Sequence, residues 1–92
     1  MDEALRQARK AAAKGEVPVG AVLVVGDRIV ARAHNQVEEL KDATAHAEIL
    51  AVTTAAGETG EWRLNEATGY VTKEPCPMCA GAMSLSRIQR VV

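Results

Sequence analysis

Two short segments constrain this chain more than anything else in it: Thr44-Ala45-His46-Ala47-Glu48, and Glu74-Pro75-Cys76-Pro77-Met78-Cys79 about a third of the chain later. His46, Cys76 and Cys79 offer one imidazole and two thiolates, a donor set that suits zinc. Three protein ligands leave the fourth tetrahedral position open, as in a catalytic rather than a structural site. One Zn2+ per chain is expected, with Glu48 as the proton carrier. Any fold must bring these segments together.

Helix periodicity narrows how that happens. Residues i and i+2 lie on nearly opposite faces of an ideal helix, so His46 and Glu48 cannot share a site from mid-helix. They can at an N-terminus, where first-turn side chains converge. Cys76 and Cys79 are three apart and fall on one face of a first turn, and Pro75 and Pro77 suit a helix start. The expectation is two helix N-termini aimed at one metal, their positive dipole ends favouring thiolates.

Each part alone has a plainer reading. An isolated His is usually a satisfied core or surface residue, and an isolated Cys-x-x-Cys is often a redox pair or half of a zinc knuckle. A structural zinc needs a fourth ligand, for which the chain offers only His34. A redox pair leaves His46 and Glu48 unexplained.

H-x-E followed by P-C-x-x-C is the established signature of the zinc-dependent nucleobase deaminases, and these residues match it. The sequence most resembles the bacterial tRNA-specific adenosine deaminases of the TadA type. The resemblance is carried by Gly15-Glu16-Val17-Pro18-Val19-Gly20-Ala21-Val22-Leu23-Val24, His34-Asn35, Thr44 to Glu48, Glu74 to Ala82 and Ser86-Arg87-Ile88. It implies a three-layer α/β/α fold of the cytidine deaminase type with a mixed sheet, incomplete at its C-terminus because such proteins continue with further strands and helices. It also implies that Asn35 contacts the nucleoside, that Val17 lines the substrate pocket, and that the Glu74-Pro75 turn positions the attacking water. Family members usually carry proline at the place of Ala43 and an apolar residue at that of Lys73. Guanine deaminases usually have an aromatic at the Val19 place, and cytidine deaminases a cysteine at that of His46.

With 92 residues there is room for a single small domain, 1–92. No apolar run is long enough to span a membrane, and the first segment has no apolar signal core. Two cysteines claimed by a metal argue for a reducing, cytoplasmic setting. The formal net charge of −1 gives no support to nucleic-acid binding.

From Asp2 to Lys14, Leu5, Ala8, Ala11 and Ala12 recur at helical spacing, and Gly15 ends the helix. Val17 to Val25 reads as a strand, turning at Gly26-Asp27 into a second over Arg28 to Ala33. Gly20 reads equally as a close approach, such as to a ligand base, or as a plain strand glycine or bulge. His34 reads as a solvent-facing loop residue. Gln36 to Ala43 is a polar connection, with Asp42 or Thr44 available to cap a helix running to Gly57. Trp62 reads as a plug over the core, and Lys73 as solvated. Ala67 to Thr72 is a strand delivering the cysteines, Cys79 to Leu85 continues as a helix, and Arg87 to Val92 begins a parallel strand.

The resemblance implies hydrolytic deamination of adenosine to inosine in RNA, at the wobble position of a tRNA anticodon loop, by a homodimer. Two alternatives stand beside it. One is deamination of a small cytosine or guanine compound; the other is a zinc-stabilised fragment that is inactive without a partner.

Overall fold

The first helix explains the shape of the rest. In the computed structural model, which describes residues 1–92, α1 spans Asp2–Ala13 with Asp2 and Glu3 in its first turn and Lys10 in its last, as the macrodipole favours. Its buried stripe is Ala4, Gln7, Ala8 and Ala11. Leu5, expected on that stripe, is exposed, as is Ala12. The reason is closeness: a Cβ on Gly20 would overlap the Ala4 carbonyl oxygen and lie 2.6 Å from the Ala8 nitrogen. Only small residues fit where this helix meets the sheet. Of the two readings of Gly20, close approach is therefore correct, but to α1 and not to a ligand.

Gly15, at φ 78°, turns the chain into β1, Gly20–Val25. The strand starts three residues later than expected, because Val17 to Val19 form a tight turn in which the Val19 N–H donates to the Val17 carbonyl at 2.8 Å. β2, Arg28–His34, pairs antiparallel with β1 through the two-residue Gly26-Asp27 turn. Gly26 has φ 61°, and glycine at the first central position is what a type II′ hairpin needs. A register shift between Leu23 and Val24 leaves Val30 as an extra residue in β2.

The polar connection contains a one-turn helix, α2 (Val37–Leu40), stopped by Lys41 in the left-handed region. α3 spans Ala47–Thr59. Neither expected cap serves it: Asp42 closes on Thr44, accepting from its backbone N–H at 2.8 Å and its hydroxyl at 2.7 Å, and the N-cap is His46. Nor does Gly57 end it. The helix passes through Gly57 and stops at Gly60, whose φ of 72° makes the left-handed cap.

β3 (Ala67–Val71) adds antiparallel to the other side of β1, α4 spans Pro77–Leu85, and β4 (Arg90–Val91) returns parallel to β3. The sheet order is β2-β1-β3-β4, a mixed sheet with a strand-helix-parallel strand unit as expected. Alternation along β1 sends Gly20 and Val22 towards α1. It sends Ala21 and Leu23 into a 12-residue cluster, mostly alanine, with Ala47, Ala51 and Ala55 of α3 and Met83 of α4. Helices thus cover both faces, which is the α/β/α layering. Trp62 is no plug: it is 53% exposed with the Arg63 guanidinium 4.6 Å over its ring, and Leu64 takes the core position instead. No helix is long and apolar enough to cross a membrane.

Candidate metal centre

The first turns of α3 and α4 make the site. His46 is the N-cap of α3 and Cys76 the N-cap of α4, both with extended backbone, and Pro77 occupies the first turn of α4 where its missing N–H costs nothing. The His46 carbonyl accepts from the Leu50 N–H at 3.0 Å, and the Cys76 carbonyl from Ala80 at 2.8 Å, so each cap is locked into its helix. Glu48, two residues into α3, is only 4% exposed and faces the same space.

His46 Nδ1 lies 3.6 Å from Cys76 Sγ and 3.4 Å from Cys79 Sγ, and the three ligand atoms fall within 4.8 Å of one another. A tetrahedral zinc with its usual bond lengths needs N···S and S···S separations of about 3.5–3.8 Å. The N···S separations match the ion, and Nδ1 is the ring nitrogen that faces the site.

The two thiols are unlike. Backbone N–H from Cys79 and the Cys79 thiol, with help from the Met78 N–H, lower the Cys76 pKa against the opposing effects of partial burial and Glu48. Cys79 is fully buried, and burial, reinforced by Cys76 and the Glu48 carboxylate, pushes its thiol up to about 12. Without a cation the pair therefore ionises at Cys76 first. A dication reverses the balance at Cys79, since a coordinating thiol is deprotonated outright.

The site opens into a pocket of about 310 Å³ lined by His46, Glu48 and Cys76 at its floor, with Val17, Val19, Asn35 and Val37 among the walls. Glu16, Glu38, Lys73 and Glu74 also reach it. Of the residues singled out from the sequence, Val17, Asn35 and Glu74 come together around the metal ligands, and Pro75 does not line the pocket. Asn35 is buried, its N–H donating to the Val19 carbonyl at 3.1 Å. Lys73 is exposed at the rim, in the solvated orientation expected. His34 is not solvent-facing: it ends β2 at 6% exposure with Lys14 Nζ 3.3 Å from its Nε2.

A family model described as the cytidine and deoxycytidylate deaminase zinc-binding region matches residues 1–92. The chain belongs to this deaminase family. It is similar to the tRNA-specific adenosine deaminase of Bacillus subtilis, 56% identical over 92 residues covering all of this chain and 57% of the relative. Its similarity to that of Aquifex aeolicus is 53% over 89 residues, 97% of this chain and 59% of the relative. The chain thus spans a little under three fifths of the length of these two relatives. Among solved structures it resembles one from work on A-to-I editing by tRNA:A34 deaminases at the wobble position of transfer RNA, with TM-score 0.96 and 50% identity over 99% of this chain and 70% of that one. It also resembles guanine deaminase from Bacillus subtilis, with TM-score 0.94 and 36% identity over 98% of this chain and 58% of that one. The cytidine-deaminase-like fold and the zinc-binding character of the family agree with the layering and the His46, Cys76, Cys79 cluster.

Glu16, like Val37 and Glu38, lines the pocket without a role assigned from the sequence. It is buried, and its carboxylate accepts from the N–H groups of Glu38 at 3.1 Å and Glu39 at 2.7 Å. Its only signal in the sequence was a carboxylate directly after a helix-ending glycine, which without α2 had no visible partner.

Proposed function

We propose that the chain is the zinc-binding part of an RNA adenosine deaminase that converts adenosine to inosine at the wobble position of a tRNA anticodon. The observation that carries this reading is the buried Glu48 carboxylate beside His46 and Cys76 at the floor of a base-sized pocket, in a chain more than half identical to tRNA-specific adenosine deaminases. Zinc, when bound by His46, Cys76 and Cys79, supplies a Lewis acid that brings the pKa of a water molecule down to about 7. Glu48 takes the proton of the attacking water on a carboxylate oxygen and passes it to the purine ring nitrogen N1, next to the reacting C6. A second proton, from the hydroxyl newly attached to C6, travels by the same carboxylate to the amino group, which leaves as ammonia. Water is consumed and the amino group becomes an oxo group.

The pocket walls argue for a base rather than a phosphate inside. Glu16, Glu38, Glu48 and Glu74 face it against one lysine, a field that repels anions and tolerates a neutral ring. Val17 and Val19 offer apolar contact to that ring and Asn35 an amide at its edge; Glu74, at the turn before Cys76, positions the attacking water. An anticodon loop presents an unpaired base that can be splayed out at little cost. A homodimer in the cytoplasm, where the thiols stay reduced, completes the proposal.

Guanine deamination is the second reading, favoured by the close fold match to guanine deaminase. Mass spectrometry after incubating the zinc-loaded chain with an anticodon hairpin, adenosine, cytidine and guanine separates the two. Inosine in the hairpin alone is expected; conversion of guanine alone would replace the RNA reading.

A further inference from the structure

We propose that Glu16 is a positioning residue that sets the wall of the pocket by clamping the N-terminus of α2, an inference that rests on the deaminase reading for its functional half. The helix has little else to hold it. It is one turn long, and none of its residues is buried. Apolar packing therefore contributes little to its place in the fold. Glu16, by contrast, is 6% exposed, and a carboxylate taken out of water is strongly unfavourable without partners. Its partners are the N–H groups of Glu38 and Glu39, at 3.1 and 2.7 Å, which are orphan donors of the first turn of α2. Charged acceptors on backbone donors make the stronger class of hydrogen bond.

The clamp is anchored on its other side. The Glu16 N–H donates to the Ala11 carbonyl at 3.0 Å, tying it to the end of α1, and Gly15 at φ 78° turns the chain so that the side chain meets α2. Lys14 grips the same helix from its neighbouring position, with Nζ 3.4 Å from Glu39 Oε1. Val37 and Glu38 line the same pocket as Val17 and Val19 of the strand-leading turn. Moving α2 changes the width of the space in which a base must sit while leaving His46, Cys76 and Cys79 in place.

The test compares zinc-loaded wild type with Glu16→Ala and Glu16→Gln. Residue-resolved amide hydrogen exchange, zinc content, and kcat and KM on an anticodon hairpin are the readouts. In Glu16→Ala the Glu38 and Glu39 amides should exchange about 10–100-fold faster, the range a lost charged hydrogen bond implies, while Ala51 and Ala55 keep their protection. Zinc stoichiometry should not change, and KM should rise about tenfold with kcat changed by less than about threefold. Glu16→Gln, which keeps a neutral acceptor, should fall between. Unchanged exchange at Glu38 and Glu39 would overturn the clamp, and so would a uniform loss of protection reaching Ala51. Faster exchange with an unchanged KM would overturn its effect on the pocket. If wild type leaves the hairpin untouched, the RNA reading falls, and exchange at Glu38 and Glu39 still decides whether Glu16 holds α2.

Discussion

Glu48 and His34 are both buried polar side chains, and the contrast between them shows what a single residue's environment decides. Glu48 forms no salt bridge with a lysine or arginine and sits against two thiols, the surroundings in which the proposed proton transfer would take place. Glu48→Ala is expected to keep one zinc per chain by metal analysis and to lose about 10²–10⁴-fold in single-turnover rate, the usual weight of a general acid-base group. Loss of zinc would make Glu48 a ligand instead. His34 has its pKa lowered, first by burial and then by the charges of Lys14 and Lys10, with Glu39 and Glu16 opposing. An unfolded histidine takes up its proton near pH 6.5 or so, and the folded one only at lower pH, so in between the unfolded chain binds more protons. Stability contributed by neutral His34 is thus present above about pH 6.5 and lost as the pH falls below it. Thermal midpoints followed from about pH 7.5 to about pH 5 should fall more steeply for wild type than for His34→Gln. Equal slopes would show that the ring does not titrate between the two states. The sequence suggested exposure for this residue because nothing in it places the end of α1 over the end of β2.

At the scale of elements, the same residue type does opposite things according to what lies across from it. Gly20 in β1 has no room for a methyl group, since the Ala4 carbonyl and Ala8 nitrogen of α1 stand in the way. Gly57 lies inside α3 with nothing within 4 Å of an added Cβ. Denaturant unfolding should therefore show Gly20→Ala destabilised by about 3 kcal/mol, at the upper end of ordinary overpacking, and Gly57→Ala stabilised by about 0.5–1 kcal/mol. A neutral Gly20→Ala would mean that α1 can rise off the sheet. The end of α4 obeys the same local chemistry without a glycine: Arg87 adopts φ 65°, and the N–H groups of Arg87 and Ile88 return to the carbonyls of Ser84 and Met83 at 3.0 and 3.2 Å. That pattern is a Schellman cap, and it turns the chain out of the helix towards β4.

For the whole molecule, the metal ligands join elements that packing holds only modestly. The central cluster is largely alanine and the larger side chains in it are few, so burial per residue is low. His46 ties the start of α3 to the start of α4 through Cys76 and Cys79, and binding free energy at such a site adds to folding free energy. Removing zinc with a chelator should lower the thermal midpoint by about 10 °C or more, given that 1 kcal/mol moves a domain of this size by about 4–8 °C. Cys76→Ser should start low and respond little to the chelator. A wild-type midpoint indifferent to zinc would mean that the alanine core and sheet suffice alone.

The metal-ligand cluster and the strand-helix-strand order were legible in the chain itself, because ligand chemistry is carried by residue type and because three-residue spacing after a proline leaves a helix start as the natural solution. The hairpin was legible for a similar reason: Gly26 and Asp27 stand between two β-branched runs. What the tertiary structure alone decided are relations across distance. That Gly20 exists for α1 rather than for a ligand, that His34 is covered, that Trp62 lies outside while Leu64 lies inside, and that Glu16 has two amides to receive are all set by elements far apart in sequence. A local pattern records what a residue can do; the partner that makes it do so arrives only when the chain closes on itself.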